Sequence, residues 1–291
     1  MRCLVFAYSQ LGYDCLQYII EKTPHTVVAV VTHEHNANEY IWFDSVKDLA
    51  ADHGIDVLTP KTLKDESVQH RINAYQPDTV LSFYYRNIIP DVILKHPPLG
   101  AYNMHGSLLP KYRGRCPVNW AMIHGESETG VTLHHMVKAA DAGDIVDQES
   151  TPINTDDTAG SVMNRMNALA VTVLKRSLPL IATQTAPRIA QDVSQASYFG
   201  GRSAKDGEVN WMQSAIFIHN LVRALQPSPQ YPPAFGIING EVRNIVQSRV
   251  VETSIGSSRQ PGTIIEAINT NTFHIACGEN GRDILWVRTS L

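Results

Sequence analysis

Residues 2–32, RCLVFAYSQLGYDCLQYIIEKTPHTVVAVVT, contain the pattern that decides the fold class. Arg2–Ala7 and Val27–Thr32 are short, continuous apolar runs, which are typical of strands buried on both faces of a sheet. Between them, Gly12–Glu21 carries apolar residues at helical spacing. A buried strand, a helix and a second buried strand in this order predict a parallel crossover unit.

The same alternation continues through the first two-thirds of the chain. We predict helices at Asp44–His53 and Thr158–Gln184, and further strands at Thr79–Phe83, Gly100–His105, Glu128–His134 and Ile145–Ile153. Short apolar strands that alternate with helices indicate an α/β domain, so we expect a doubly wound and mostly parallel sheet.

The pattern of alternating strands and helices ends near residue 200, where Phe199–Arg202 is rich in turn residues. After a predicted helix at Met212–Leu225, short β-like runs follow at Val246–Val251, Thr263–Ala267, Phe273–Cys277 and Ile284–Val287. Gly or Pro separates several of these runs, a spacing that favours a small antiparallel barrel or curled sheet. We therefore predict one domain at residues 1–200 and a second, barrel-like domain at residues 204–291.

Composition excludes several classes of partner. The chain has 24 Lys and Arg against 28 Asp and Glu, a net charge of −4 that provides no general attraction for nucleic acid or anionic membranes. The four cysteines are scattered, so we expect reduced thiols in a cytoplasmic protein. The sequence shows neither a signal peptide nor an apolar run that could span a bilayer, and we expect no membrane insertion.

Asn103 and His105 are the first candidate site residues. They lie two positions apart at the end of a strand-like run, and alternate residues of a strand face the same side. In open α/β sheets, ligands bind at the carboxyl ends of the strands. We therefore expect an amide and an imidazole to project together into a ligand site.

A second candidate segment is Val137–Asp144, in which small residues surround Asp141. A carboxylate that reaches His105 would orient the ring and favour its protonated form. Acyl transfer to an amine needs a group that takes the amine proton and a donor for the developing oxyanion. For this chemistry, His105 would carry the proton and Asn103 would donate to the oxyanion.

Two other features bear on cofactors. Ala7–Gly12, directly after the first strand, lacks the glycine fingerprint of dinucleotide binding, which argues against an NAD site. His33 and His35 flank Glu34, a pattern that also occurs in metal sites, but no third ligand is evident. We therefore expect a solvated loop at these residues and no bound metal.

Four blocks of sequence together resemble the folate-dependent formyltransferases. They are Ser82–Arg86, His105–Arg115, Gly125–His134 and Met136–Gly143, and weaker similarity runs almost to the C-terminus. Within that family the chain is most similar to the formyltransferase domain of a bifunctional enzyme that acts on UDP-4-amino-4-deoxy-L-arabinose. The fold implied by the resemblance is a Rossmann-like domain followed by a small barrel-like (OB-like) domain.

The resemblance also implies a donor, 10-formyltetrahydrofolate, and roles for individual residues. Asn103 would stabilise the transition state, His105 would carry the proton, and Asp141 would raise the pKa of that histidine. The implied pterin contacts are Asn87, Ile88, Ile89, Val137, Lys138, Ala139, Ala140 and Arg115.

The implied acceptor is the amine of a nucleotide-linked amino sugar, UDP- or dTDP-linked and 4-amino, used for surface polysaccharides such as O-antigen lipopolysaccharide. Methionyl-tRNA formyltransferase is an alternative, but seven basic and seven acidic residues from Ala204 onward leave the C-terminal segment without the basic excess that RNA binding favours. A non-catalytic folate or nucleotide-sugar sensor is another alternative, against which the complete set of Asn103, His105 and Asp141 argues. We expect no nucleic-acid partner, and we leave homodimer formation open.

Overall fold

The computed structural model describes residues 1–35, 41–226, 232–251 and 258–290. Up to residue 135 its elements are β1 (Arg2–Ala7), α1 (Ser9–Lys22), β2 (Thr26–Val31), α2 (Val46–Asp52), β3 (Val57–Leu58), α3 (Glu66–Ala74), β4 (Thr79–Phe83), α4 (Asp91–Leu94), β5 (Ala101–His105), β6 (Arg113–Gly114), α5 (Pro117–Ile123) and β7 (Glu128–His135). They continue with β8 (Ile145–Pro152), α6 (Ala159–Ala182), β9 (Tyr198–Phe199), α7 (Ala215–Ala224), β10 (Ala234–Ile238), β11 (Glu241–Val251), β12 (Ile264–Asn269), β13 (Thr272–Cys277) and β14 (Asp283–Ser290).

The chain forms two compact units. The first comprises Met1–Gly114, Thr129–Thr151 and Asn164–Phe199, and the second comprises Arg115–Glu128, Pro152–Met163 and Gly200–Leu291. The division into domains at residues 1–200 and 204–291 stays a prediction.

A seven-stranded sheet, with the order β3-β2-β1-β4-β5-β7-β8, forms the centre of the first unit. Strand β1 pairs in parallel with β2 and β4, and β4 pairs in parallel with β5, whereas β7 runs antiparallel to β5. The Rossmann-like, mostly parallel sheet expected from the sequence is thus confirmed. Strands β2 and β3 lie on one side of β1, whereas β4 and β5 lie on the other side. Open α/β sheets bind ligands at a switch point of this kind, where the chain changes from building one side of the sheet to building the other.

The core of this unit explains why β1 is a continuous apolar run. Leu4 and Phe6 belong to a buried cluster with Ile72 of α3 and Ile93 of α4. Helix α1 also packs against β1 and buries Leu16 among other residues. Each fully buried side chain of this size contributes about 1.5–3 kcal/mol, so β1 has no position that favours a polar residue between Cys3 and Ala7.

The second unit contains a five-stranded antiparallel sheet with the order β10-β11-β14-β13-β12. The antiparallel C-terminal sheet expected from the sequence is confirmed, and β10 is an additional edge strand. Within the described ranges, no helix combines the length and hydropathy that crossing a bilayer requires.

Helix α7 carries a buried polar network in the second unit. Arg223 is only 8% exposed. Its Nε donates to Oδ1 of Asn220 at 2.9 Å, and its Nη1 donates to the main-chain carbonyls of Asn154 at 2.8 Å and Asp157 at 3.3 Å. These bonds connect α7 to the segment that precedes α6, because a buried guanidinium requires acceptors for its five N–H groups.

Candidate active site

The sheet register places Asn103 and His105 between two other strands. Ser82 of β4 lies opposite Asn103 on one side, and His134 of β7 lies opposite Asn103 on the other. Because β7 runs antiparallel, its last two residues, His134 and His135, lie opposite Asn103 and Tyr102 of β5. The site is therefore built at the predicted edge of the sheet, with one histidine more than the sequence analysis proposed.

Asp141 gathers the side chains of this site around one carboxylate oxygen. Its Oδ1 lies 3.6 Å from Nδ1 of His105, 3.5 Å from Nε2 of His134 and 3.5 Å from Nδ2 of Asn103. Its Oδ2 accepts the main-chain N–H of Gly114 at 2.9 Å. The three residues proposed as catalytic from the sequence thus lie together, and Asn103 and His105 share a face of β5.

Hydrogen bonds to main-chain carbonyls decide which ring nitrogen carries the proton in each histidine. Nε2 of His105 lies 2.8 Å from the carbonyl oxygen of Tyr112, and a carbonyl can only accept, so Nε2 donates and Nδ1 holds the lone pair in the neutral ring. In His134, Nδ1 donates to the carbonyl of His135 at 2.9 Å, which leaves Nε2 to accept from Nδ2 of Asn103 at 3.2 Å.

The electrostatics favour a neutral His105 beside an ionised Asp141. Burial lowers the pKa of His105 by more than the Asp141 carboxylate and the Tyr112 carbonyl raise it. Burial acts to raise the pKa of Asp141, but the attraction of His105 and His134 in their protonated forms and the Gly114 N–H together hold that pKa well below its usual range. Asp141 acts on the imidazole in the expected direction, yet the pKa of His105 is lowered, because the ring is almost fully removed from water.

The segment between β5 and β6 holds the carbonyl that orients His105. Thr132 Oγ1 donates to the carbonyl of Ser107 at 2.6 Å and accepts from Nε2 of Gln148 at 2.8 Å. Ser107 Oγ donates to the carbonyl of Lys111 at 2.6 Å. These bonds fix the backbone next to Tyr112 and therefore fix the imidazole plane.

Apart from Arg115, the residues proposed to contact a pterin lie on two segments that flank one core cluster. Ile89 is 4% exposed within this cluster, and Met136 packs against the same cluster. Their neighbours Ile88 and Val137 are 84% and 47% exposed. Asn87, Lys138, Ala139 and Ala140 are also exposed, as is Arg115, the first residue of the second unit.

The residues considered for a metal site have other partners. Glu34 accepts from Nζ of Lys47 at 2.8 Å, and Nε2 of His33 accepts the main-chain N–H of Arg86 at 3.1 Å. Over the described ranges, no group of three or more His, Cys, Asp and Glu side chains is arranged to hold a metal ion.

His134 and Gly114 were not predicted as parts of the site. His134 was inconspicuous because its role depends on the antiparallel register of β7 with β5. Gly114 lies in the block His105–Arg115 that resembles the formyltransferases. Its φ of 97° favours glycine at this position, but this conformation is visible only in the structure.

Solved structures with the same fold include several sugar formyltransferases. WlaRD, a sugar 3N-formyl transferase crystallised with dTDP and 5-N-formyl-THF, is 22% identical over 99% of this chain and 97% of its own, with a TM-score of 0.76. The N-formyltransferase of Helicobacter canadensis, in complex with folinic acid and dTDP-3-aminofucose, is 22% identical over 100% of both chains, with a TM-score of 0.77. A 4-N formyltransferase from Francisella tularensis is 19% identical over 83% of this chain and 94% of its own, with a TM-score of 0.66.

Family sequence models match both parts of the chain. The model described as formyl transferase matches residues 1–178, which is more than half of the chain. The model described as formyl transferase, C-terminal domain, matches residues 202–289. The chain, with its cluster of Asn103, His105 and Asp141 at the carboxyl edge of the sheet, therefore belongs to the formyl transferase family.

Proposed function

We propose that this protein transfers a formyl group from 10-formyltetrahydrofolate to the amine of a nucleotide-linked amino sugar. The observation that carries the proposal is the approach of Asn103, His105 and His134 to the single oxygen Oδ1 of Asp141. A neutral imidazole, an amide donor and a partly buried carboxylate at one place are the groups that direct acyl transfer to an amine requires.

His105 is proposed to take the amine proton on Nδ1. This atom holds the lone pair in the neutral ring, since Nε2 donates to Tyr112. The lowered pKa keeps the ring neutral and ready to accept a proton at neutral pH. Once protonated, Nδ1 faces the Asp141 carboxylate at 3.6 Å, so the imidazolium is stabilised until its proton passes to the departing folate nitrogen.

Asn103 is proposed to donate to the oxyanion that forms as the amine adds to the formyl carbon. One N–H of its side-chain amide donates to His134 at 3.2 Å, which fixes the amide plane. The contact with Asp141, at 3.5 Å, is at the long limit of a hydrogen bond. The second N–H therefore gains a closer acceptor in the transition state, the kind of donation that in measured cases is worth about 3–4 kcal/mol.

The surroundings of the site suit a flat donor such as the pterin of a folate. Exposed apolar side chains are costly in water, and Ile88 and Val137 expose theirs on segments that border one core cluster. Ala139 and Ala140 let a ring system approach the exposed backbone of the same loop closely. We propose that the donor is contacted by Asn87, Ile88, Ile89, Arg115, Val137, Lys138, Ala139 and Ala140.

For the acceptor we propose a UDP- or dTDP-linked 4-amino sugar destined for a surface polysaccharide. WlaRD and the Helicobacter canadensis enzyme, whose fold this chain shares along nearly its whole length, were crystallised with dTDP and with dTDP-3-aminofucose, which supports a dTDP-linked acceptor. The Francisella tularensis enzyme, a 4-N formyltransferase, supports the 4-amino position. We place the reaction in the cytoplasm, because all four cysteines are free thiols and three of them are buried.

A panel of UDP-, dTDP- and GDP-linked amino sugars, each incubated with 10-formyltetrahydrofolate, tests the proposal by mass spectrometry. We expect at least one product to gain the mass of a formyl group. Methionyl-tRNA is included as a competing acceptor, and formylation of that RNA alone would refute the proposed acceptor.

The proposed proton carrier is tested in the same assay. We expect His105→Ala to abolish turnover while leaving binding of the folate measurable by calorimetry. The exposed His70 on α3 provides the matched control, because His70→Ala removes an imidazole outside the site. Undiminished turnover in His105→Ala would remove His105 from the mechanism.

A further inference from the structure

The loop that presents Asp141 has an unfavourable backbone conformation. Asp141 has a φ of 54°, which lies in the left-handed region of backbone conformation that residues other than glycine rarely adopt. Such a conformation is unfavourable and persists only where the surroundings impose it. Some contact must therefore stabilise this loop in the form that directs the carboxylate toward His105.

The side chain of Gln191 makes that contact. Its Nε2 donates to the main-chain carbonyl of Asp141 at 2.8 Å and to that of Gly143 at 2.7 Å. A primary amide has two N–H donors, so both are used on this one loop. Gly143 is itself confined, because a Cβ at that position would lie 1.9 Å from the carbonyl oxygen of His135.

The other end of the Gln191 amide is held by Arg113. Oε1 of Gln191 accepts from Nε of Arg113 at 3.1 Å and from Nη2 at 2.7 Å. Arg113 is in turn anchored in β6, which pairs in parallel with β9. The amide is therefore satisfied at every donor and acceptor, and its orientation is unambiguous, since the oxygen faces a guanidinium and the nitrogen faces two carbonyls.

We propose that Gln191 is a positioning residue of the formyl transfer site, which it serves by holding the Asp141 loop through two main-chain carbonyls. This inference rests on the proposed function for its kinetic consequence, but the geometric part stands by itself. Gln191 acts through Asp141, whose carboxylate faces His105 and His134. Without the clamp the strained loop relaxes, and the distance from Oδ1 to Nδ1 of His105 increases.

The test replaces Gln191 by methionine, which keeps the length of the side chain and removes its donors and acceptor. The first measurement is the titration of His105 by NMR in the apoprotein, with the His105 signal assigned from its loss in His105→Gln. Since a carboxylate at this range favours the imidazolium, we expect Gln191→Met to lower the pKa of His105 by about one unit. We expect kcat to fall roughly 10- to 100-fold, the effect of small misplacements in an active site, with the KM of the acceptor unchanged.

Gln69→Met is the matched control, because Nε2 of Gln69 also donates to a main-chain carbonyl, that of Leu63, at 2.7 Å. It lies on α3, and we expect neither kcat nor the His105 titration to change. If Gln191→Met does not fold, Arg113→Met provides a milder second variant, because it releases only Oε1 of Gln191. A smaller shift of the His105 titration in the same direction is then expected.

If neither Gln191→Met nor Arg113→Met moves the His105 titration, Gln191 does not position Asp141. If the titration moves but the wild-type protein formylates no amino sugar, the positioning role stands and the proposed function falls.

Discussion

The main-chain N–H of Gly114 donates to Oδ2 of Asp141 at 2.9 Å, so the two oxygens of this carboxylate have different partners. Oδ2 is occupied by the backbone, whereas Oδ1 is turned toward His105, His134 and Asn103. The rotation of the carboxylate about its Cβ–Cγ bond is thereby limited. A residue with no side chain thus helps to set the geometry of the proposed chemistry.

Replacing Gly114 by alanine should disrupt this arrangement. Gly114 has a φ of 97°, and a Cβ there would lie 2.2 Å from the carbonyl oxygen of Phe199. We expect Gly114→Ala to shift the N–H away from Asp141, to lower kcat roughly 10- to 100-fold and to destabilise the fold by about 1–3 kcal/mol. Steady-state kinetics and urea denaturation measure the two effects.

Gly54 provides the control for backbone strain alone. It has a φ of 66°, and a Cβ there would meet no atom within 4 Å. Gly54→Ala should cost about 1 kcal/mol of stability, because alanine at a positive φ is strained, and leave kcat unchanged. Equal kcat in both variants would contradict the role assigned to Gly114.

Asn103→Ala tests the proposed oxyanion donor. Removal of one such donor in characterised enzymes lowers kcat by about 10²–10³-fold, and we expect a loss in this range with a KM for the acceptor within about threefold of wild type. Asn73→Ala on α3 is the matched amide-to-alanine control. A large rise in the KM of the acceptor with normal kcat would instead indicate that Asn103 only binds substrate.

Stability should fall as the pH drops below about 6.5. Burial is the main cause that lowers the pKa of His105, His135 and His219 in the folded protein. Above pH 6.5 these rings are neutral in both states, so they add no pH dependence there. Below it the unfolded chain takes up protons first, and the unfolding free energy declines by up to about 1.4 kcal/mol per pH unit for each histidine.

Urea denaturation between about pH 7.5 and pH 5 measures this slope. His135→Gln should flatten it, because glutamine does not titrate and can still donate to the carbonyl of Pro187, which lies 3.0 Å from Nε2 of His135. His70→Gln, at an exposed position, should leave the slope as it is. A flat stability profile in the wild-type protein would show that the buried rings do not control it.

Arg223→Met should destabilise the second unit by about 3 kcal/mol. The change removes donors from the carbonyls of Asn154 and Asp157 and leaves the buried carboxylate of Asp157 with less compensating charge. Arg176→Met is the control, because the Arg176 side chain is 45% exposed, and its ion pairs should contribute less than about 1 kcal/mol. Similar losses of unfolding free energy in the two variants would contradict a structural role for the buried guanidinium.

Prediction of the fold from sequence succeeded where the local pattern reflects the environment of the strand. Arg2–Ala7 and Thr79–Phe83 have the predicted bounds, because strands buried on both faces require apolar residues at every position. The direction of strand Glu128–His135 could not be predicted, since a buried apolar strand has the same sequence pattern whether it pairs in parallel or antiparallel with its neighbour. Strand β10 was missed because Pro232 and Pro233 directly precede it in the sequence and Gly236 lies in its middle.

Prediction of the site followed a similar division. Asn103 and His105 could be paired from their i, i+2 spacing, and Asp141 was a candidate from the small residues around it. The resemblance then assigned the three residues their roles. The clamp formed by Gln191 joins residues 50 and 48 positions apart in the chain, and its donors contact main-chain carbonyls. Every residue has a main-chain carbonyl whatever its type, so contacts of this kind produce no sequence motif.

The sequence by itself determined the alternation of buried strands and helices, the amide, imidazole and carboxylate of the site, and the family to which they belong, because these depend on residue type and short-range order. Only the tertiary structure decided that β7 brings His134 beside Asn103, that burial lowers the pKa of His105 although Asp141 opposes it, and that Gly114 and Gln191 hold Asp141 in place. These features arise from distances and desolvation between segments far apart in the chain, which no local pattern encodes.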